Sequence, residues 1–382
     1  MMNFTFTRKT RETMNDKNST TLYTRRNFLT AGAGLAATAA FSPYVIGRTK
    51  AKDKLGVALV GLGYYSTDLL APALQLTKNC YLAGIVTGTP AKAEAWKEKY
   101  KILDKNIYNY QTFDQIANNP DIDVVYVVLP PSMHREYVVR AAKAGKHVWC
   151  EKPMAPTVAD CKAMIEACEK NKQKLAIGYR NLHDPNMQAW MKLAKEGTLG
   201  KPRLVNCAAA YVDNRTTHWK QKKDMGGGVM GDMGVYSIQG ARHAIGEEPM
   251  LVTAHFFNNR PEIYHEVEET SMYQMHFPSG ALSNCTASFG INSNFLKVNY
   301  EKGTLMMEPF SSYSGNKGTY SGGVINIPVP LNNQQANQMD DDALAIMQNK
   351  PLIAPGEEGM RDIKVVEAIY EAAKTGKEVK IG

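Results

Sequence analysis

The chain has 382 residues, of which 44% are hydrophobic, so it is long enough to form two ordinary domains with sizeable cores. Its formal net charge of +8 is concentrated near the N-terminus: residues 1–50 contain eight Lys/Arg and two acidic residues, which leaves 37 Lys/Arg against 35 acidic residues in 51–382. Because binding to nucleic-acid phosphates needs clustered Lys/Arg, this nearly neutral body gives no argument for a nucleic-acid partner.

Residues 24–40 have the layout of a twin-arginine export signal. Arg25 and Arg26 precede an Ala/Gly-rich run, 31–40, that is too short and too weakly apolar to form a stable membrane span. We therefore predict that residues 1–45 are a signal peptide and leader. The mature protein is expected in the periplasm, or otherwise exported, without stable membrane insertion. An ordinary basic tail ahead of an N-terminal helix remains the alternative.

From residue 54 onward, short apolar runs alternate with amphipathic segments, which is typical of βαβ units with a parallel sheet. A predicted strand, 55–60, leads into the glycine turn that begins at Gly61. Gly61 permits the tight turn, and Gly63 lets the backbone approach a pyrophosphate at the N-terminus of the helix expected from about Thr67. These features predict an α/β fold with a Rossmann dinucleotide-binding domain over 54–178.

Ser66 replaces the third glycine of the usual G-x-G-x-x-G dinucleotide-binding motif. The identification of the motif therefore rests on its position between a strand and a helix. The next predicted strand, 81–87, ends without the Asp or Glu that would bind the ribose 2′-hydroxyl of NAD. The hydroxyl of Thr87 and the ammonium of Lys92 could instead bind a 2′-phosphate, so we predict NADP and consider NAD less suited. The alternative is that Lys92 is merely a solvated residue in the first turn of a helix.

A third apolar run, 122–129, ends at Pro130, and a helix over 133–144 leads to a strand at 147–150. The tripeptide Glu151-Lys152-Pro153 follows that strand directly. Ligands of open parallel sheets bind beyond the carboxyl ends of the strands, which places Lys152 at the expected site.

After residue 178 the alternation of strands and helices stops, and 179–382 is predicted as an α+β substrate and oligomerisation domain with a largely antiparallel open sheet. The Gly/Ser/Tyr-rich stretch 311–323 is predicted as a long loop. Helices near 332–347 and 357–374 are expected to pack back on the first domain. The expected strands are 203–212, 250–258, 269–277, 280–289, 294–299 and 304–307.

Glycines at 226–228 precede Asp232 and Tyr236, which are four residues apart and would share one face of a helix. Oxidation of a carbinol needs a base for the hydroxyl proton, and a nearby Lys152 ammonium would favour the phenolate of Tyr236. Asp232 could instead be a helix cap, and Tyr236 could be a core aromatic. Arg180 is predicted as a substrate ligand, with an interdomain salt bridge as the alternative.

Glu151-Lys152-Pro153, together with Asp232 and Tyr236, resembles the glucose-fructose oxidoreductase branch of the Gfo/Idh/MocA oxidoreductase family. Many members of the wider family have His at the position of Tyr236. The resemblance implies that Lys152 lies between nicotinamide and substrate, and that tightly bound NADP serves two half-reactions. An aldose would be oxidised to its lactone, and a second sugar carbonyl would be reduced to an alditol. We predict catalytic roles for Lys152, Asp232 and Tyr236.

The cysteines include no C-x-x-C pair and no cluster with zinc-ligand spacing, so no metal site is expected. A homodimer or homotetramer is expected from an open sheet. An NAD-dependent glycoside hydrolase and a non-catalytic sugar-binding protein are the rival functions. Further cofactor contacts are predicted for Tyr64, Tyr65, Pro130, His134 and Glu151.

Overall fold

The computed structural model describes residues 52–325 and 333–382. The predicted twin-arginine segment lies outside these residues. Within the described ranges, none of the helices has the length and apolar character needed to cross a membrane.

Six parallel strands form the first sheet, in the order β3-β2-β1-β4-β5-β6. This is the doubly wound order of a Rossmann sheet, and its strand order reverses between β1 and β4. Such sheets bind ligands beyond the carboxyl ends of their strands, in the crevice at this reversal. The glycine turn after β1 and the segment after β5 both lie at that edge of the sheet. The strands are β1 Leu55–Val60, β2 Cys80–Val86, β3 Ile107–Tyr108, β4 Val124–Val127, β5 His147–Cys150 and β6 Leu175–Ile177.

Nine strands form the second sheet, in the order β14-β13-β12-β11-β7-β10-β9-β8-β15. Neighbouring strands are antiparallel except for β7 and β10, which are parallel. The predicted largely antiparallel sheet is therefore confirmed. The strands are β7 Pro202–Ala210, β8 Leu251–Phe257, β9 Thr270–His276, β10 Leu282–Ser288, β11 Ser293–Tyr300, β12 Thr304–Met307, β13 Gly318–Tyr320, β14 Gly323–Ile325 and β15 Val379–Lys380.

Helices cover both faces of the first sheet, and β1 shows how its residues divide between them. Val57 and Leu59 belong to one apolar core, whereas Ala58 and Val60 belong to the other. Alternate side chains of a strand point to opposite faces, so a continuous apolar run is what a strand buried on both faces requires. The helices are α1 Ala71–Leu74, α2 Pro90–Tyr100, α3 Pro131–Lys143, α4 Val158–Lys170, α5 Pro185–Lys195, α6 Val235–Ile245, α7 Gln334–Met347 and α8 Gly356–Thr375.

The two C-terminal helices contact the first sheet and its flanking segments. The side chain of Asp340 on α7 accepts hydrogen bonds from the backbone nitrogens of Lys78 and Asn79, just before β2. Ahead of α8, the carbonyl of Ala354 accepts a hydrogen bond of 2.8 Å from the nitrogen of Ile177 on β6. Because α8 also packs against α6 and β8, it links the two sheets.

Two local predictions and one of the alternatives differ from the structure. The stretch 311–323 is not one long loop. It contains β13 and the start of β14, which pair as a hairpin and extend the second sheet. The helix expected from about Thr67 begins earlier, as a π-helical segment over Tyr65–Leu70 that continues into α1. Asp232 does not cap a helix, because it lies inside a second π-helical turn, Met230–Gly234, that leads into α6. Such turns cannot be read from apolar spacing alone.

A buried charge network joins α6 to α8. The guanidinium of Arg242, which is 3% exposed, contacts Glu358 at 2.9 Å and also Asp362, and its Nε contacts Glu248 at 2.7 Å. Glu358 and Asp362 are themselves buried. Arg361 also contacts Glu358, at 3.0 Å, but among the described residues Arg242 alone forms a salt bridge with Asp362.

We expect Arg242→Met to lower the free energy of unfolding by about 3–5 kcal/mol, because it leaves the buried carboxylate of Asp362 without its cation. The measurement is urea unfolding followed by circular dichroism. Arg203→Met is the matched control, since Arg203 is 62% exposed where it pairs with Glu301. That substitution should cost less than about 1 kcal/mol. Equal losses for the two variants would contradict the structural role given to Arg242.

Candidate active site

The turn after β1 has the backbone geometry of a phosphate-binding glycine turn. Gly61 has a φ of +91°, and a Cβ there would lie 2.5 Å from the carbonyl oxygen of Val128. Gly63 faces open space, with no heavy atom within 4 Å of where a Cβ would stand. Ser66, at the third glycine position, donates a 2.6 Å hydrogen bond to the Gly61 carbonyl. The turn is therefore held from within and is open on the side where a pyrophosphate would approach.

Lys92 extends from α2 to this same turn. Its Nζ donates a hydrogen bond of 3.1 Å to the carbonyl of Leu62. Thr87 is buried at the end of β2, and its hydroxyl oxygen accepts a 3.2 Å hydrogen bond from the nitrogen of Thr89. The ammonium thus lies beside the glycine turn and the end of β2, as a residue that binds the adenosine end of a dinucleotide would. These residues fit a dinucleotide cofactor.

The two tyrosines of the turn face different surroundings. Tyr64 is 65% exposed. The ring of Tyr65 lies 6.2 Å from the ring of Tyr313, between centroids, and its hydroxyl accepts a hydrogen bond from Gln335 at 3.5 Å. Burial raises the pKa of Tyr65. Tyr65 therefore belongs to the interior side of the site, and Tyr64 to the open side.

Glu151 lies beneath the site and makes internal contacts. Its Oε1 accepts a 2.6 Å hydrogen bond from the hydroxyl of Tyr126, which in turn accepts one of 3.0 Å from Gln338. A Cβ at Gly178 would lie 2.6 Å from the same carboxylate, so the glycine leaves room for it. Burial raises the pKa of Glu151 to about 7. The side chain therefore supports the segment that carries Lys152.

His134 and Pro130 lie near the same segment, at the start of α3. One ring nitrogen of His134 lies 2.8 Å from the Leu129 carbonyl, and the other lies 3.1 and 3.2 Å from the carbonyls of Pro153 and Met154. Pro130 immediately precedes α3. Because backbone oxygens occupy both ring nitrogens, His134 positions the turn after β5, and the peptide between Lys152 and Pro153 in that turn is cis.

The centre of the site is the carboxylate of Asp232, which two lysines share. Nζ of Lys152 lies 3.2 Å from Oδ1 and 2.8 Å from the backbone carbonyl of Asp232. Nζ of Lys220 lies 2.6 Å from Oδ2, which also accepts a 3.0 Å hydrogen bond from the hydroxyl of Tyr211. Lys220 donates to that hydroxyl as well, at 2.9 Å. Both carboxylate oxygens are thus engaged by donors.

Electrostatics fix the protonation states of this group. Burial alone would raise the pKa of Asp232, but the ammonium groups of Lys220 and Lys152 hold it well below its usual value. Burial lowers the pKa of Lys220. For Lys152 burial is outweighed by Tyr236 and Asp232, which raise its pKa. Asp232 is consequently an ionised acceptor and not a proton shuttle at neutral pH.

Two cations lie close to the ring of Tyr236. Nζ of Lys152 is 4.6 Å from the centre of its ring, and the guanidinium carbon of Arg180 is 5.4 Å from it. Both distances are within the range of cation–π contacts. Tyr236 is 3% exposed, and within 52–325 and 333–382 its hydroxyl has no hydrogen-bond partner. The predicted cluster of Lys152, Asp232, Tyr236 and Arg180 is therefore brought together.

Among residues 52–325 and 333–382, Arg180 has no partner for the salt bridge that was its alternative role. Its guanidinium donates to the carbonyls of Ser312 and Ser311, at 2.9 and 2.6 Å, and to the side chain of Gln334. Its carbon lies 4.3 Å from the ring centre of Tyr313. Arg180 thus secures the 311–313 segment over the site, and only its Nε lacks a partner among the residues the structure describes.

Sequence reasoning missed three residues of the site. These are Lys220, Tyr211 and Tyr313. None of them belongs to a recognisable sequence motif, and only the tertiary fold brings them to the site. Tyr211 follows the last residue of β7, and Lys220 lies in the polar segment between β7 and α6. The only signal in the sequence was that long loops often carry functional side chains. His183, three residues after Arg180, pairs with Asp341 at 2.8 Å.

Comparison with known proteins supports an oxidoreductase site. Residues 55–179 match the family described as "Oxidoreductase family, NAD-binding Rossmann fold", and residues 187–306 match the "GFO/IDH/MocA C-terminal domain". Aldose-aldose oxidoreductase from Caulobacter crescentus, crystallised with glycerol, is 40% identical with a TM-score of 0.83. The superposition covers 86% of this chain and 99% of that one.

Two more distant relatives have other reactions in their names. The D-xylose 1-dehydrogenase [NADP(+)] of Haloarcula marismortui is 25% identical over 344 residues, which is 87% of this chain and 95% of that protein. The 2,7-anhydro-N-acetylneuraminate hydratase of Escherichia coli K12 is 25% identical over 261 residues, 66% of this chain and 68% of that protein. Relatives of this chain thus include both dehydrogenases and a hydratase.

Glu151 gives a testable dependence of stability on pH. Its folded pKa of about 7 lies above its usual 4.5, so folding favours the protonated carboxyl. This contribution is present in full below pH 4.5 and is lost as the pH rises through 7, up to about 3 kcal/mol. Glu151→Gln imitates the protonated form, so its melting temperature relative to wild type should increase from pH 5 to pH 8.

The control for this experiment is Glu371→Gln, which changes an exposed carboxylate on α8. Its melting temperature relative to wild type should be the same at both pH values. A difference for Glu151→Gln that does not vary with pH would show that the buried carboxyl is ionised throughout.

Proposed function

Since the chain belongs to the Gfo/Idh/MocA oxidoreductase family and is a sugar oxidoreductase with an NAD(P)-binding Rossmann fold, we propose a finer activity for it. It is an exported enzyme that holds NADP tightly, oxidises an aldose to its lactone, and reduces the carbonyl of a second sugar to an alditol. The observation that carries this proposal is the placement of Lys152 and Asp232 around Tyr236, beyond the carboxyl end of β5.

The chemistry divides between the cofactor and the side chains. Bound nicotinamide supplies a hydride acceptor in one direction and a hydride donor in the other. Tyr236 removes the proton of the anomeric hydroxyl during oxidation, and it returns a proton to the carbonyl oxygen of the second sugar. The ammonium of Lys152 and the guanidinium of Arg180 contact the ring of Tyr236, so both cations lie close to the oxygen that accepts the proton.

Asp232 positions these groups and the sugar. Its Oδ1 accepts one hydrogen bond from Lys152 within the described chain, so it keeps a lone pair for a sugar hydroxyl. Because Asp232 stays ionised, it can accept a hydrogen bond throughout the reaction without exchanging a proton. Tyr236 is then the proton acceptor and donor of the site, and Asp232 fixes the orientation of the sugar.

The preference for NADP is supported at the end of β2. Thr87 directly follows this strand, where no carboxylate is present for a ribose 2′-hydroxyl, and the ammonium of Lys92 lies beside the glycine turn. The 2′-phosphate of NADP could pair with this ammonium. NAD has no phosphate at that position, so it would gain nothing from Lys92. One relative, the D-xylose 1-dehydrogenase, has NADP in its name.

The proposed export of the enzyme is one reason to propose that its NADP is tightly bound. Arg25 and Arg26 precede the Ala/Gly-rich run of a twin-arginine signal, and that pathway carries folded proteins. Outside the cytoplasm no soluble nicotinamide pool would recharge an exchanging cofactor. A cofactor that stays bound and is regenerated by the second sugar removes that requirement.

A lyase or glycoside hydrolase that oxidises its substrate transiently is the second candidate, and the hydratase among the relatives favours keeping it. Such an enzyme would release an aglycone without net oxidation. Aryl glycosides with a coloured leaving group distinguish the two activities, since an oxidoreductase leaves them uncleaved.

The direct test uses purified mature protein with pairs of aldoses and ketoses and no added cofactor. We expect NADP to be released when the isolated protein is denatured, and lactone and alditol to form in equal amounts as measured by chromatography. Tyr236→Phe should reduce turnover by about 10²–10⁴-fold, because it removes the proton acceptor, while the content of bound cofactor stays the same. Recovery of apo-protein, or near-normal rates in Tyr236→Phe, would refute the proposal.

Cofactor choice is tested at α2. Lys92→Ala should weaken NADP binding by about tenfold, the value of one charge-assisted hydrogen bond, and leave NAD binding unchanged. Fluorescence titration of protein stripped of its cofactor measures both affinities. Lys97→Ala on the same helix is the control, because Lys97 pairs with Asp104 instead. An equal loss for NADP and NAD would remove Lys92 from the recognition of the 2′-phosphate.

A further inference from the structure

The walls around Tyr236 hold more positive than negative charge. Lys152, Lys220 and Arg180 have side chains or whole residues that are at most 17% exposed. The carboxylate of Asp232 is shared by the two lysines, and the guanidinium of Arg180 bonds to neutral carbonyl and amide oxygens. Among these groups, three cations therefore face one full anion.

Other titratable groups nearby do not restore the balance. Burial raises the pKa of Glu151 to about 7, so it carries only part of a charge at neutral pH. Asp213 forms a bidentate pair with Arg215, at 2.8 and 2.5 Å, which cancels both charges. Burial, with Arg215 and Lys220 nearby, lowers the pKa of His218 and keeps it neutral. The described part of the pocket thus keeps a net positive charge.

Each of the three cations also keeps a donor in reserve. An ammonium has three N–H groups, and Lys152 and Lys220 each use two, on Asp232 and on Asp232 with Tyr211. Nε of Arg180 is buried and has no partner within residues 52–325 and 333–382. A buried cation without a matching anion is unfavourable, so a ligand that brings an anion into this pocket would be bound more strongly than a neutral one.

We infer that the aldose oxidised in this site is an anionic one, whose carboxylate or phosphate group is recognised by Lys220. A hexuronate and a sugar phosphate share this chemistry. The inference rests on the proposed function and names the substrate class of the same site. The reacting carbon remains C1, so the anionic group lies at the other end of the sugar.

The test compares three aldoses that differ at C6 alone: glucose, glucuronate and glucose 6-phosphate. Mature holoenzyme is mixed with each, and reduction of the bound cofactor is followed by its absorbance. We expect kcat/KM for at least one anionic sugar to exceed that for glucose by about 10–100-fold, the value of a charge-assisted hydrogen bond. The preferred anion identifies the source, and added salt should reduce the advantage.

Variants test whether Lys220 carries the preference. Lys220→Met should reduce the ratio of kcat/KM between the anionic sugar and glucose about tenfold, and Lys220→Arg should keep most of it. Lys223→Met, which changes an exposed lysine three residues away, should leave the ratio unchanged. Calorimetric titration with glucuronate and glucose gives the same comparison for binding alone. If Lys220→Met does not fold, the wild-type comparison decides.

The outcomes separate the two proposals. If glucose is oxidised as well as or better than both anionic sugars, this inference is overturned and the proposed function stands. If no aldose of either kind reduces the bound cofactor, the proposed function is wrong and the inference falls with it. A preference for an anionic sugar that Lys220→Met leaves unchanged would overturn the assignment to Lys220.

Discussion

The site depends on one shared interaction, the carboxylate of Asp232 between the ammonium groups of Lys152 and Lys220. Lys152 lies just after β5 of the first sheet, whereas Lys220 lies in the segment after β7 of the second sheet. Two buried ammonium groups at this separation would repel each other, and the carboxylate converts that repulsion into attraction for both. The segment after β5, the segment after β7 and the start of α6 are therefore fixed relative to one another by charge.

The helix that carries this carboxylate is secured at both ends. At its start, Asp232 lies in the π-helical turn that leads into α6, and at its last full turn Arg242 pairs with Glu358 and Asp362 of α8. Between them the helix is almost entirely buried against the second sheet. Tyr236 stands in the first turn of this element, so its position beside Lys152 is set by packing as well as by charge. The geometry needed for proton transfer is thus built into the fold.

Sequence patterns predicted the parts of this structure that depend on local chemistry. The strands around Leu55–Val60 and the glycine turn followed from apolar runs and from backbone freedom at Gly61, and the structure confirms the Rossmann sheet. Asp232 and Tyr236 were predicted together because they are four residues apart. Lys220 was not predicted, because no motif marks it and only the folding of the irregular segment between β7 and α6 brings it to the carboxylate of Asp232. The hairpin in 311–323 was missed for a similar reason: its strands are very short and pair with an edge that the sequence does not reveal.

Two π-helical segments border the site, Tyr65–Leu70 beside the glycine turn and Met230–Gly234 at the start of α6. A π-turn accommodates one residue more than the α-helical turn it interrupts. Loss of a single residue from Met230–Gly234 would restore regular winding and rotate the side chains before α6 by about 100° relative to those after it. Asp232 would leave the two lysines while Tyr236 kept its place. Short insertions and deletions at this position therefore offer evolution, or a protein engineer, a way to change which residue the lysines hold without repacking the core.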